Sequence, residues 1–533
     1  MDDAPPDTPA DVPADVPVAA EPMSARADLE AEIRSLLERW HGPAIGRFVT
    51  GTDPRPHPVD GRIAFTAGRM ASPLGPSTNR VVVVSDASDV DISAISNEPV
   101  EPVDPCSWEG ATRSGRWSPD GATLAFTGDH ALRGVHQIGW VACLSGGTYG
   151  EVVAGPELPG TVESLSWSPS GHRLLAVVAG HGAEQAGAMA SGRVPRRPAD
   201  RVSAPRAQVR SFDGTPPVDE WRRAWVVDVA TGAATCVSPD GPCVWEAAWL
   251  GDGAIVAIVS GRPEEDAWYG ARCSVIDLAT GAETPVVTSD RQLGIPVGWT
   301  DGRTIACIEA PCSDRTLVAG RVVVRGVDGL VRRLGLGLDA THLHVTSTGR
   351  LLVSGLVGMD TRIVEVDVVT LASTVWFETA DTVGPRQPEA WPTASGVWRS
   401  RWSRGTGRRP WWRSRPTAPR RFAGAARDQG TAAVRAELRE LEHVTWTAPD
   451  GWAMDGLLVR PNADGPHPLV LYPHGGPVAS WRRRFLGGYA MVPVLLARGW
   501  AVFLPNPAVR PATAGTSPTP STATWAGATR STS

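Results

Sequence analysis

The stretch Trp117-Ser118-Pro119-Asp120-Gly121-Ala122-Thr123-Leu124-Ala125-Phe126 reads as a tight turn closed by glycine and followed at once by an apolar strand. The same design recurs as Trp167-Ser168-Pro169-Ser170-Gly171 before Leu174-Leu175-Ala176-Val177, and as Trp249-Leu250-Gly251-Asp252-Gly253 before Ile255-Val256-Ala257-Ile258. Looser copies are Val59-Asp60-Gly61, Trp299-Thr300-Asp301-Gly302, Thr346-Ser347-Thr348-Gly349 and Pro392-Thr393-Ala394-Ser395-Gly396. With the last glycine as marker, the seven anchors are spaced by 60, 50, 82, 49, 47 and 47 residues. Between anchors lies a second motif, Trp225-Val226-Val227-Asp228-Val229-Ala230-Thr231-Gly232, repeated as Ser274-Val275-Ile276-Asp277-Leu278-Ala279-Thr280-Gly281. Its Asp stands 25 residues before the next anchor glycine both times, and Val364-Glu365-Val366-Asp367-Val368 is a third copy. Each unit is therefore a pair of hairpins. A period of roughly 40–50 residues with four strands is the signature of a β-propeller, in which no blade covers both its faces until its neighbours stack on it in a ring. Seven anchors predict seven blades, with the anchor Trp side chains packed between them rather than stacking on a ligand. The 82-residue spacing carries an insert at about 180–217, polar and rich in Arg and Gly, read as a surface loop, with the border of a functional opening as the alternative.

Outside the repeats, residues 1–22 are Pro-, Asp- and Ala-rich and read as a disordered tail. Ser24 caps a predicted helix to about Trp40, with Leu29, Ile33, Leu36 and Leu37 on one face and Gly42-Pro43 ending it. The chain of 533 residues has 42% hydrophobic and 20% charged residues, so it is globular and large enough for two or three domains. A net charge of −6 gives no reason to expect a nucleic-acid partner. No apolar run is long enough for a membrane span, and the start lacks the pattern of a signal peptide. Seven scattered cysteines, Cys106, Cys143, Cys236, Cys243, Cys273, Cys307 and Cys312, are an odd number and point to reduced thiols and a cytoplasmic location. All 51 basic residues are Arg, and 22 Trp stand against 8 Phe and 4 Tyr, a composition typical of very GC-rich coding.

After the repeats the pattern changes. Strand-like Val444-Thr445-Trp446-Thr447 and Leu457-Leu458-Val459-Arg460 precede Pro468-Leu469-Val470-Leu471-Tyr472-Pro473-His474-Gly475-Gly476-Pro477, read as a buried strand running into a Gly-rich turn. A predicted helix at 489–498, closed by Gly499, leads to a second buried strand, Trp500-Ala501-Val502-Phe503-Leu504, which completes a βαβ unit of a parallel sheet. Propeller, "LVLYPHGGP" and "RGWAVFLPNP" together resemble the prolyl oligopeptidase family of serine peptidases, above all its acylaminoacyl-peptidase and dipeptidyl-peptidase-like branch. The resemblance covers roughly 24–396 and 437–507. It implies a mainly β chain, a seven-bladed propeller at 23–432 with its N-terminal helix, followed by an incomplete α/β-hydrolase domain at 433–507, and short peptides as substrates.

Two glycines after a strand let backbone N–H groups approach a developing oxyanion with no Cβ in the way. By the resemblance, Gly475 and Gly476 supply part of the oxyanion hole and His474 is structural; the plain alternative is an ordinary Gly-rich turn. The nucleophile of such a fold sits in a G-x-S-x-G elbow, followed by Asp and then His. None follows Pro507, since Gly515-Thr516-Ser517-Pro518-Thr519 lacks the second Gly and follows no strand. The expectation is a C-terminally truncated chain, with the catalytic triad missing from its 71 hydrolase-like residues and no activity of its own. A non-catalytic propeller that binds other molecules is the alternative reading.

Two segments break the pattern: 398–421, with 9 Arg and 4 Trp in 24 residues, and 508–533, with 7 Thr, 6 Ala, 4 Ser and 3 Pro in 26. A slipped reading frame accounts for both; the alternative is a basic loop for an acidic partner and a disordered tail at 508–533. Glu264-Glu265, on a propeller loop, resembles the paired Glu that holds a substrate amino terminus in dipeptidyl-peptidase relatives, against a solvated turn as the plain reading. His342-x-His344 has no third ligand and is read as structural. No cofactor or metal motif stands out, and oligomeric state is left open.

Overall fold

The structure is a computed structural model and describes residues 23–46, 48–72, 75, 77–84, 103–184, 193–195, 216–311, 315, 318–380, 382–383, 387–393, 396–399, 401–402, 412–415, 418–421, 433–434, 436–437, 441–449, 451, 453–474, 480–483 and 491–506. The tails at 1–22 and 508–533 lie outside it. Among the described residues the chain is mainly β. Seven antiparallel sheets follow one another in sequence among the described residues, the first with three strands and the others with four; within the stretch of the seventh, Arg401–Trp402 leaves the sheet to pair with Thr382–Val383. Their first strands are Phe48–Pro56, Thr112–Trp117, Gly160–Trp167, Cys243–Leu250, Gln292–Gly298, Asp339–Val345 and Ala390–Thr393. Each first strand touches that of the next sheet, and that of the seventh touches that of the first, so the order closes into a ring with the first strands innermost.

Burial explains the sequence pattern. Leu124, Ala125 and Phe126 are all buried although they point alternately to opposite faces, because a second strand is covered on both sides by neighbouring sheets. All seven anchor turns join the first strand of a sheet to its second. In the second sheet, Ser118 Oγ donates to Asp120 Oδ1 at 2.5 Å, Thr123 N–H donates to Ser118 Oγ at 3.0 Å, and Gly121 takes φ +75°. That left-handed backbone suits glycine. In the fourth sheet it falls at Gly251, not Gly253. The anchor indoles join sheets as expected: Trp117, Trp167 and Trp249 donate through Nε1 to the carbonyls of Arg55, Arg116 and Ser166 in the preceding sheet, and Trp299 donates to Gly349 in the following one.

The Asp-x-x-Thr-Gly motifs join third to fourth strands. Asp228 Oδ1 accepts from both the N–H and the hydroxyl of Thr231 at 2.8 Å, and Asp277 does the same with Thr280. The segment at 398–421 contributes Gly396–Arg399, Trp412–Arg415 and Ala418–Arg421 to the seventh sheet, paired in antiparallel register. The ring closes on a stack: the Arg55 guanidinium lies 3.2 Å from the centre of the Trp391 ring, and the His344 ring lies 3.5 Å from it. His344 therefore serves the seam. His342 instead donates from Nδ1 to the carbonyl of Pro388 at 2.9 Å.

Beyond the ring, Glu442–Thr447, Ala453–Val459, Ala501–Asn506 and Leu469–Leu471 form a separate sheet in that spatial order. Leu469–Leu471 and Ala501–Asn506 are parallel, with Leu469, Val470 and Leu471 opposite Ala501, Val502 and Phe503. The helix between them, Met491–Ala497, completes the expected βαβ unit, and Gly499 ends it at φ +82°. The buried reading of the first strand is corrected. Leu469–Leu471 is an edge strand, with Leu469 56% and Leu471 61% exposed, whereas Ala501, Val502 and Leu504 are buried in the sheet interior. Helix Met23–His41 packs Leu36, Leu37 and Trp40 onto the same core, with Leu457, Val459, Val492 and Leu496.

Candidate functional site

Successive strands in each sheet run in opposite directions, so every turn between a second and a third strand emerges on one face of the ring, away from the anchor turns. On that face the turn of the sixth sheet places Met359 in the core of the α/β unit, and Asp360 pairs with Arg483 at 3.2 Å. The α/β unit thus meets the ring on this face, at the sixth sheet. The insert of the third sheet begins and ends on the same face. Arg222 Nη2 donates to the carbonyl of Glu184 at 2.6 Å, and Arg193 pairs with Glu220 at 3.1 Å; residues 185–192 and 196–215 lie outside the described residues.

Within the α/β unit the strand Leu469–Leu471 delivers Tyr472 and His474 to its C-terminal end, where ligands gather in parallel sheets. Both rings lie against Trp481, at 5.7 and 6.0 Å between centres. Trp481 is itself clamped: its N–H donates to Asn506 Oδ1 at 2.6 Å, and Asn506 Nδ2 donates to the Trp481 carbonyl at 3.1 Å and to Asp455 Oδ1 at 2.8 Å. Asn506 is fully buried. His474 therefore lies beside a rigid indole. Gly475 and Gly476 lie outside the described residues.

The ring mouth holds a charged cluster that no local motif announces. Glu163, in the first strand of the third sheet, accepts from Arg222 Nε at 2.9 Å and Nη2 at 3.1 Å, and from Arg315 Nη2 at 2.5 Å. Arg222 and Arg315 lie 5.0 and 5.4 Å from the ring centre of Trp245. Three sheets thus meet in one clasp. Burial alone would raise the Glu163 carboxyl, but the two guanidinium groups outweigh it and hold it at about 2. Glu246, next to Trp245, is raised by burial; its Oε2 accepts from the Ile295 N–H at 2.6 Å.

The first strands that line the mouth are irregular, with breaks in register beside Asp53, Ser114, Glu163, Trp245, Ile295 and Thr341. Three of these residues, Asp53, Ser114 and Ile295, take positive φ without being glycine. Such strain costs about 1–3 kcal/mol per residue and gathers at functional positions. Glu264 and Glu265 lie on the second-to-third turn of the fourth sheet, at the start of the short helix Glu265–Trp268. Glu264 pairs with Arg262 at 3.7 Å. No group of three His, Cys, Asp or Glu side chains suited to a metal occurs among the described residues.

Solved structures share this arrangement. An acylaminoacyl peptidase from Pyrococcus horikoshii matches at 15% identity and TM-score 0.57, over 86% of this chain and 65% of that one. A structure described as a Mycobacterium tuberculosis puromycin-hydrolyzing peptidase matches at 14% and 0.57, over 87% and 67%. Oligopeptidase B from Trypanosoma brucei matches at 13% and 0.54, over 91% and 63%. The chain has the fold of these peptidases. It spans about two thirds of their length, 63–67%. No family model and no curated protein matches the sequence. Sequence reasoning missed the clasp, the Asn506–Trp481 clamp and Asp455. Only Asn506 had a signal in the sequence, as the end of the "RGWAVFLPNP" run.

Proposed function

We propose that this chain is the seven-bladed propeller and the opening strands of the α/β-hydrolase domain of a serine peptidase of the prolyl oligopeptidase family, acting on short peptides in the cytoplasm. One observation carries the reading: a parallel βαβ unit, whose first strand runs into His474 before Gly475-Gly476, joined through Asp360 and Arg483 to a closed ring of sheets. No helix among the described residues is long and apolar enough to cross a membrane. In the family mechanism a Ser attacks the peptide carbonyl, a His takes and returns the proton, an Asp orients the His, and backbone N–H groups receive the oxyanion. Within these 533 residues Gly475 and Gly476 are the part of that machinery we assign; Glu264 and Glu265 are the candidates for holding a substrate amino terminus.

We propose further that the 533-residue polypeptide alone has no hydrolytic turnover, because no Ser in it stands in a nucleophile elbow. A fluorophosphonate probe should label no serine of the pure protein, and fluorogenic dipeptides and N-acyl amino acid amides should be turned over no faster than in buffer. A labelled serine together with turnover overturns this. Sequencing the coding DNA from the Pro392 codon to well past the stop, read in all three frames, tests the family reading. A G-x-S-x-G followed by Asp and then His supports it, and their absence from every frame favours a binding propeller.

A further inference from the structure

Arg113 stands in the first strand of the second sheet, beside the strained Ser114 at φ 58°, and reaches toward the first strand of the third sheet. Among the described residues its guanidinium makes one long bond, from Nη2 to the Val162 carbonyl at 3.4 Å. Its Nε is closed off from solvent without an acceptor. A guanidinium carries five N–H donors, and one held this loosely inside a protein is unusual. Burial lowers its proton affinity, and only the charges of Glu163 and Asp129 offset that.

Neither carboxylate satisfies it. Both oxygens of Glu163 are engaged by Arg222 and Arg315. Asp129 accepts from the Ala111 N–H at 2.6 Å through Oδ1 and from the Gly134 N–H at 2.8 Å through Oδ2. His136, close by, is kept neutral, its pKa pressed to about 3 by burial and by Arg113 against the pull of Asp129. Three guanidinium groups therefore share the immediate neighbourhood of one ion-paired carboxylate, beside the first strands that line the ring mouth. We propose that Arg113, on the wall of this mouth, binds a carboxylate of a peptide ligand and so selects peptides that present a free carboxyl group. A carboxylate matches the planar fork of a guanidinium and would be taken up by the Nη end of Arg113, which the fold holds only by its long bond to Val162. The assignment rests on the reading of the chain as a peptide-acting protein.

The experiment measures fluorescence anisotropy of tetra-alanine carrying an uncharged coumarin at its amino end, as free acid and as carboxyl-terminal amide, with the full 533-residue chain. The free acid should bind at least tenfold tighter than the amide. Arg113→Gln should bring the two within about twofold while thermal unfolding still shows a cooperative transition, and Arg113→Lys should keep part of the preference. A third peptide, amidated but with an internal Asp, separates the sources: binding as tight as the free acid assigns a side-chain carboxylate, and weak binding assigns the terminal one. Equal binding of acid and amide, or an unchanged ratio in Arg113→Gln, overturns the carboxylate site and leaves the peptidase reading standing. If neither peptide binds, the carboxylate site falls, and the reading frames past the Pro392 codon decide the peptidase reading separately. Should Arg113→Gln not fold, the ratio in the unmodified chain and in Arg113→Lys decides.

Discussion

Asp339 begins the first strand of the sixth sheet, 6% exposed and with no cationic partner among the described residues. Burial raises its pKa to about 7. In the unfolded chain the same carboxyl ionises near about 3.9. Between those values the unfolded state has lost the proton and the folded state keeps it, so stability falls as pH rises from about 4 to about 7. A shift of this size corresponds to at most about 4 kcal/mol. Glu163 has the opposite sign. Held at about 2, it contributes stability above the usual carboxylate range and loses it as pH falls through that range toward 2. Asp339→Asn should therefore remove a downward slope of stability between pH 4 and 7, leaving the variant relatively more stable at neutral pH and little changed at pH 4. Urea midpoints at several pH values measure this, and parallel pH profiles for the two proteins would refute the assignment.

At the scale of the element, turn chemistry was legible because it is local. The Ser-Pro-Asp-Gly anchors and the Asp-x-x-Thr-Gly turns close through side chains two or three residues apart, so a single sequence carries the whole instruction. The third copy of the latter turn tests that account. Asp367 accepts from the Val369 and Thr370 N–H groups as its counterparts do, but Leu371 occupies the glycine position and still adopts φ +61°. A left-handed conformation costs a side-chain-bearing residue roughly 1–2 kcal/mol. Leu371→Gly should stabilise the protein by about 0.5–1 kcal/mol after the greater freedom of glycine in the unfolded chain is counted, read as a higher midpoint in thermal or urea unfolding. The exposure of apolar strands was less legible. Leu469–Leu471 and Ala501–Leu504 look alike as short apolar runs, and only their order in the sheet makes one an edge and the other an interior strand. The clasp was invisible for a stronger reason. Glu163, Arg222, Trp245 and Arg315 come from three sheets and meet only once the ring has closed.

For the whole molecule, the exposed edge of the α/β sheet is the main liability. Leu469 and Leu471 present their side chains on one face beside a row of backbone groups that no strand pairs among the described residues. An apolar edge of this kind templates pairing with another chain. Replacing both leucines by lysine should reduce self-association severalfold in light scattering at equal concentration, with the circular dichroism spectrum retained; unchanged association would place the sticky surface elsewhere. The ring carries a different consequence. Among the described residues no strand is exchanged across the join between the first sheet and the seventh, and the Arg55–Trp391–His344 stack is a seam rather than a weld. The chain segments on either side of that join do not part company. Helix Met23–His41 enters before the first sheet, the α/β strands leave after the seventh, and the two share one apolar core. The α/β unit is thus a buckle on the belt of sheets: loosen it, by unfolding or by a partner that competes for Trp40, and the hoop is free to spring open at its seam.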